Sequence, residues 1–148
     1  YIDDNLDRDT SMFIFDGFPR NMEEVEQFFN LTGQRRLKLS AVIILGISQD
    51  RLTSRILDRR VCPNCGAIYN IEDNPPSFDD ASLEKRDDDD RDTLEKQMKE
   101  YRDNTLPVIE YFKKEYGDLT LEQDASQPVN RIMYEIFTAL EKRDIALF

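Results

Sequence analysis

An α/β fold built on a parallel sheet is predicted for this chain of 148 residues by three observations. Short, wholly apolar runs at residues 12–15 (Met-Phe-Ile-Phe) and 41–46 (Ala-Val-Ile-Ile-Leu-Gly) read as buried strands. Amphipathic helical stretches alternate with them. Gly, Pro or a capping residue stands at each joint.

The first run ends at Asp16 and Gly17, and Phe18-Pro19-Arg20 follows as a turn, after which Asn21 can cap a helix over residues 23–31. Ligands of open α/β sheets gather beyond the carboxyl ends of the strands, so Arg20 stands where its planar fork of donors can hold an anion. The same stretch also reads as an ordinary strand–loop–helix joint with a surface Arg. After the second strand, Ser48 caps a helix over 49–58, and an excursion over 59–86 has β-hairpin character around Arg60-Val61-Cys62 and Ala67-Ile68-Tyr69-Asn70. Residues 92–116 are strongly helical, with Pro107 predicting a kink or break. A last short strand is expected at 119–122, and Pro128 begins an amphipathic helix to about Lys142 that turns Val129, Ile132, Met133, Ile136, Phe137 and Leu140 inward.

Composition excludes several classes of protein. With 20 basic against 31 acidic residues the net charge is −11, which argues against nucleic acid or an anionic membrane as a general partner. No apolar run approaches the roughly 20 residues that span a bilayer. The length is one domain's worth, and 39% hydrophobic residues can build a core. No internal repeat is present.

The segment Arg55-Ile-Leu-Asp-Arg59-Arg60-Val-Cys62-Pro-Asn-Cys65-Gly-Ala-Ile68-Tyr69, then Asn74-Pro-Pro, then Arg86-Asp-Asp-Asp-Asp, decides between these readings. Together with Asp16-Gly17-Phe18-Pro19-Arg20 it closely resembles the adenylate kinase family in its long-lid form. The resemblance implies a P-loop kinase-like core, a parallel sheet flanked by helices, formed by 1–58 and 87–148, with a small hairpin-containing lid at 59–86. The family's glycine-rich phosphate loop has no counterpart among the chain's five Gly, the chain opens on Tyr1, and residues 1–6 look like the tail of a helix. The expectation is a C-terminal fragment, inactive alone, of an enzyme that moves a phosphoryl group reversibly from Mg-ATP to AMP, giving two ADP. A pyrimidine monophosphate kinase is an alternative, which Asn21 favours and the long lid opposes. A non-catalytic, kinase-like scaffold is another.

By resemblance the arginines carry the mechanism, because phosphoryl transfer asks mainly for positioning and neutralisation of anions. Arg20 should grip the acceptor monophosphate, in a turn with Gly17, Phe18 and Pro19. Arg55 should lie along the base of the triphosphate, Arg59 should reach its phosphates, and Arg86 should bridge both nucleotides. Arg55 and Arg59 are spaced to share one helix face. Asp88 and Asp89 fall where the family has a paired Asp that engages lid arginines on closure, whereas Asp87, Asp90 and Asp92 also suit a solvated helix start. Asp16 would act on magnesium through water. Ile68, Tyr69 and Gln127 fall on the triphosphate side, although Tyr69 equally suits hairpin packing.

Three departures from the family pattern stand out. Glu24 occupies the place of a Gln that reads adenine; an ionised Glu only accepts hydrogen bonds, which leaves the acceptor base open. Gln97 occupies the place of a further phosphate-gripping Arg on the AMP side, predicting a weaker site unless Arg91, Lys96 or Arg102 reaches in. Cys62 and Cys65 make half of a zinc site in a chain with two Cys and no His, so with Asp79 and Asp80 as the remaining candidates no structural zinc is expected. A reduced hairpin suits a reducing, cytoplasmic setting. The expected partners are ATP and AMP, with no nucleic acid or membrane, and family habit makes the protein a monomer.

Overall fold

Asn21 opens the first helix as its position predicts: its side-chain oxygen accepts from the Glu24 amide at 2.9 Å, satisfying a donor that a helix start leaves unpaired. In the computed structural model, which describes residues 13–70, 75–76 and 83–145, this helix is α1, Met22–Gln34. It buries Val25, Phe28 and Thr32 along one stripe. The Thr32 hydroxyl donates back to the Phe28 carbonyl at 2.9 Å, so burial orphans no polar group there.

Strand β1, Val42–Gly46, lies parallel to β4, Thr120–Asp124, with Val42 opposite Thr120 and Gly46 opposite Asp124. Between them come α2 (Gln49–Leu57), an antiparallel hairpin of β2 (Arg59–Val61) and β3 (Ile68–Asn70), α3 (Arg91–Glu100) and α4 (Leu106–Glu115). Ser48 caps α2 by accepting from the Arg51 amide at 3.4 Å. Val61 also bridges Glu84, which ties the return limb to the hairpin. Helix α5, Val129–Glu141, follows β4 and packs against it. A parallel pair joined by a helical connection is the α/β arrangement expected.

The core forms where α1 meets α4. Val25, Val108 and Phe112 are buried together, with Phe29, Leu39, Val42, Tyr111 and Tyr116 against them. The Phe29 and Tyr116 rings stack at 5.4 Å. Phe15 and Phe18 both reach Phe28, edge-on at 5.4 and 6.4 Å, which seats the turn between them on α1.

Two expectations need correction, and a third, the break at Pro107, is met in a particular form. Residues 13–15 join no strand ladder among the described residues; ring contacts of Phe15, not sheet hydrogen bonds, hold this segment, and Met12 lies outside them. The long helix divides before Pro107, in a π-helical turn, Tyr101–Thr105, where the Leu106 amide donates to the Tyr101 carbonyl. A proline has no N–H and its ring crowds the carbonyl four residues back, so the preceding turn widens. The apolar stripe of α5 is buried only at its end: Leu140 is buried and Ile132, Ile136 and Phe137 are half-buried, but Val129 and Met133 are 70% and 48% exposed. Amphipathic spacing marks a face, and nothing among the described residues covers the first turn of this one. The expected helix tail at 1–6, Asn74, Asp79 and Asp80 lie outside the described residues. Among the described residues, no helix is long and apolar enough to cross a membrane.

Asp90 caps α3, accepting from the Thr93 amide at 2.8 Å and the Thr93 hydroxyl at 2.7 Å. These bonds, the backbone one first, hold its carboxyl below the ordinary value. Because the folded form is depressed, the stabilisation is present above the unfolded value and is lost as pH falls through the folded one, in the range below about pH 4. Denaturation midpoints measured across that range should fall less steeply in Asp90→Asn than in the parent, since an Asn caps without titrating.

Candidate active site

Gly17 has φ +63°, the left-handed region that favours glycine, and a Cβ there would stand 2.6 Å from Arg20 Nη2. The missing side chain is what lets Arg20 fold back over its own turn, where Nε donates to the Gly17 carbonyl at 2.6 Å. The Phe18–Pro19 peptide in this turn is cis. Arg20 is exposed, and its guanidinium joins no ion pair among the described residues. Asp16, just before the turn, is also exposed.

Glu24 faces back into the same turn. One carboxylate oxygen accepts from the Arg20 amide at 2.6 Å and the other from the Asn21 side-chain amide at 3.0 Å. The Thr105 hydroxyl, at the end of the π-helical turn, donates to the Arg20 carbonyl at 3.3 Å. Asn21 and Glu24 bond reciprocally in a variant of the capping box, with Glu24 taking the Asn21 side-chain amide and the preceding Arg20 amide in place of the cap's own N–H; a polar cap followed three residues on by Glu signals the motif. Thr105, 85 residues from Arg20, carries no such signal.

Arg55 and Arg59 do not share a helix face. Asp58 ends α2, and Arg59 begins β2, so the two side chains part. Arg55 donates to the carbonyls of Ala125, Ser126 and Gln127, the last two at 3.2 and 3.4 Å, clamping the loop between β4 and α5. The Asn70 side chain in turn donates to the Arg55 carbonyl at 3.0 Å, tying the hairpin to α2. In the clamped loop, the Ser126 side chain and amide, with Gln127, hold the Asp124 carboxyl below its ordinary value. A cleft of about 330 Å³ lined by Gly46, Ile47, Ser48, Glu122, Gln123 and Asp124 opens beside this loop, at the carboxyl ends of both parallel strands.

Arg59 makes a two-pronged ion pair with Asp89, Nε to Oδ2 at 2.9 Å and Nη2 to Oδ1. Asp89 is only 1% exposed, the most deeply buried charged residue among those described. The hydrogen bond with Asp89 raises the Arg59 pKa further, so its charge is permanent. Arg86 makes a second such pair with Asp88, both bonds at 2.9 Å, but this one is exposed. Ile68 is exposed and Tyr69, paired across the hairpin with Arg60, is half-buried. Gln97 is exposed on α3, and Gln127 enters through its backbone carbonyl and a 3.3 Å bond from its side chain to Asp124.

The Cys62-Pro-Asn-Cys65 turn folds as a knuckle: the Gly66 amide donates to the Cys62 carbonyl at 2.8 Å and the Cys62 amide to the Ala67 carbonyl at 2.9 Å. Cys62 is buried and Cys65 exposed. No cluster of three His, Cys, Asp or Glu residues able to hold a metal occurs among the described residues.

A parallel strand pair flanked by helices, with an antiparallel hairpin set between its strands in the chain, fits the architecture of the P-loop kinase class. The family model described as adenylate kinase matches residues 1–116. The chain is 34% identical to the adenylate kinase of Petrotoga mobilis, over 86% of this chain and 61% of that protein. It is 32% identical to that of Thermoanaerobacter sp. (strain X514), over 96% of this chain and 68% of the relative, and 33% identical to that of Finegoldia magna, over 94% and 67%. This chain therefore belongs to the adenylate kinase family. It spans 61% of the length of the Petrotoga protein it matches.

Proposed function

We propose that the protein transfers the terminal phosphoryl group of ATP to the phosphate of AMP, giving two ADP. The observation that carries this reading is the family match over the stretch holding Arg20, Arg55, Arg59 and Arg86, combined with an Arg20 fork that is exposed and in no ion pair among the described residues. In the reaction an oxygen of the acceptor phosphate forms a bond to the terminal phosphorus of ATP as the bond to the bridging oxygen breaks. The protein's task is to bring two polyanions together and neutralise the charge on the transferring group.

Arg20 grips the acceptor phosphate from the turn with Gly17, Phe18 and Pro19. Arg86 exchanges Asp88 for phosphate; an exposed pair with both partners in water gives up its carboxylate at little cost. Arg59 keeps Asp89 as its orienting partner and offers phosphate the donors left over, since two of a guanidinium's five N–H groups are spent on that carboxylate. Arg55, Ile68, Tyr69 and Gln127 form the triphosphate side, and Gln97 lies along the acceptor side. Residues 59–86 act as a lid over a core of 1–58 and 87–148, excluding water from the transfer. The exposed Asp16 carboxylate fits magnesium as an outer partner, because that ion keeps much of its water shell. When bound with ATP, the ion neutralises phosphate charge. The protein is taken to meet its nucleotides as a monomer in the cytoplasm, and the net charge of −11 argues against nucleic acid or an anionic membrane as a general partner.

The test is a coupled assay of the natural gene product with ATP and, in turn, AMP, CMP, UMP and GMP. ADP formed from AMP supports the reading. No turnover with any monophosphate overturns it.

A further inference from the structure

We propose that Glu24 is a positioning residue for Arg20: it anchors the acceptor-phosphate turn and does not read the acceptor's base. The proposal rests on the kinase reading above for the role of Arg20. Three fixings converge on this one arginine. Its amide donates to Glu24 at 2.6 Å, its carbonyl accepts from Thr105 at 3.3 Å, and its Nε closes onto Gly17 at 2.6 Å. The backbone on both sides of the side chain is thus held from two different helical elements, α1 and the π-helical turn, while the guanidinium stays exposed.

The chemistry at Glu24 suits this task and no simpler residue would. A carboxylate is an acceptor at both oxygens, and both here meet donors: the Arg20 amide and the Asn21 side-chain amide at 3.0 Å. An amide in the same place satisfies one donor and points its own N–H₂ at the other. The negative charge is also well placed in the first turn of α1, where the helix dipole favours it. Asn21 completes the exchange by accepting from the Glu24 amide at 2.9 Å. A side chain spent on both oxygens within its own turn reports on the phosphate end of the acceptor.

The experiment uses the natural gene product and the variants Glu24→Gln, Asn21→Asp/Glu24→Gln and Thr105→Val, with AMP, CMP, UMP and GMP followed by equilibrium binding and steady-state turnover. Glu24→Gln should weaken all four acceptors by one common factor of about tenfold, the loss expected of a hydrogen bond to a charged group, with the KM for ATP unchanged. The double variant exchanges donor and acceptor between the two side chains, so it restores both bonds and should recover most of that loss. Thr105→Val, on a different element, should weaken the acceptors in the same base-blind way, and the double variant, whose AMP-to-CMP ratio should match the parent's, decides the matter should Glu24→Gln alone fail to fold. A change of about fivefold or more in the ratio of kcat/KM for AMP to that for CMP, or no change in any acceptor constant, would overturn the proposal. Loss in the double variant equal to that in the single one would do so too. A product that binds all four monophosphates without phosphorylating them would end the kinase reading alone, because binding still compares the variants; one that binds none would end both.

Discussion

Arg59→Ala is expected to destabilise the protein by about 3–5 kcal/mol, because it strands a carboxylate that has no access to water. The Asp89 side chain is 0% exposed and that of Arg59 27%, so the two partners are not equivalent. Removing the arginine leaves a buried charge with its fork of donors gone; removing the charge by Asp89→Asn leaves a guanidinium that turns to solvent, and should cost less. With a shift of roughly 2–4 °C in Tm per kcal/mol for a protein of this size class, Arg59→Ala should melt on the order of 10 °C below the parent. Thermal unfolding followed by circular dichroism reads both variants, and equal losses would show that burial of Asp89 does not govern the pair.

Arg86→Ala should do the opposite, abolishing most of the activity at almost unchanged stability. Its pair with Asp88 has side chains 47% and 45% exposed, and exposed pairs are worth about 0–1 kcal/mol. A guanidinium that stabilises charge on a transferring phosphoryl group is worth far more, and a loss of about 100- to 1000-fold in kcat is expected with ATP and AMP. Activity and melting temperature measured on the same preparation separate the two effects. A large drop in Tm would mean that Arg86 is structural. Neighbouring aspartates at positions 88 and 89 thus pair two arginines in different settings: the Arg86 pair lies in water, and the Arg59 pair is closed on a buried carboxylate at the hairpin's base.

Much of this was legible in the sequence where a local rule governs. Asn21 and Ser48 cap their helices, residues 42–46 form a parallel strand, and the hairpin closes around the Cys62–Cys65 turn, all from short-range chemistry. Pro107 announced a break, but its N–H-free nitrogen could not say that the chain would widen into a π-turn instead of bending. What stayed hidden needs a partner distant in sequence. Periodicity marked Val129 and Met133 as apolar without showing what covers them, and four-residue spacing put Arg55 and Arg59 together only while a helix was assumed to continue past Asp58. The clamp of Arg55 on the carbonyls of 125–127 and the hold of Thr105 on Arg20 join residues at least 70 apart, and no pattern in the chain foretells them.

The π-helical turn also acts as a phase shifter. Each residue of an α-helix advances the side-chain direction by about 100°, so an uninterrupted helix through 91–115 would tie the outward direction of Leu94 rigidly to that of Val108 and Phe112. The wider turn absorbs an extra residue and breaks that tie. Leu94 on α3 and Val108 on α4 are both buried, each at its own azimuth, within one continuous rod. The limb that carries Asp88 and Asp89 therefore stands at a different fixed rotation, relative to the helix that packs the core, from the one an unbroken α-helix would impose, and the residue at the seam, Thr105, is the one that touches Arg20.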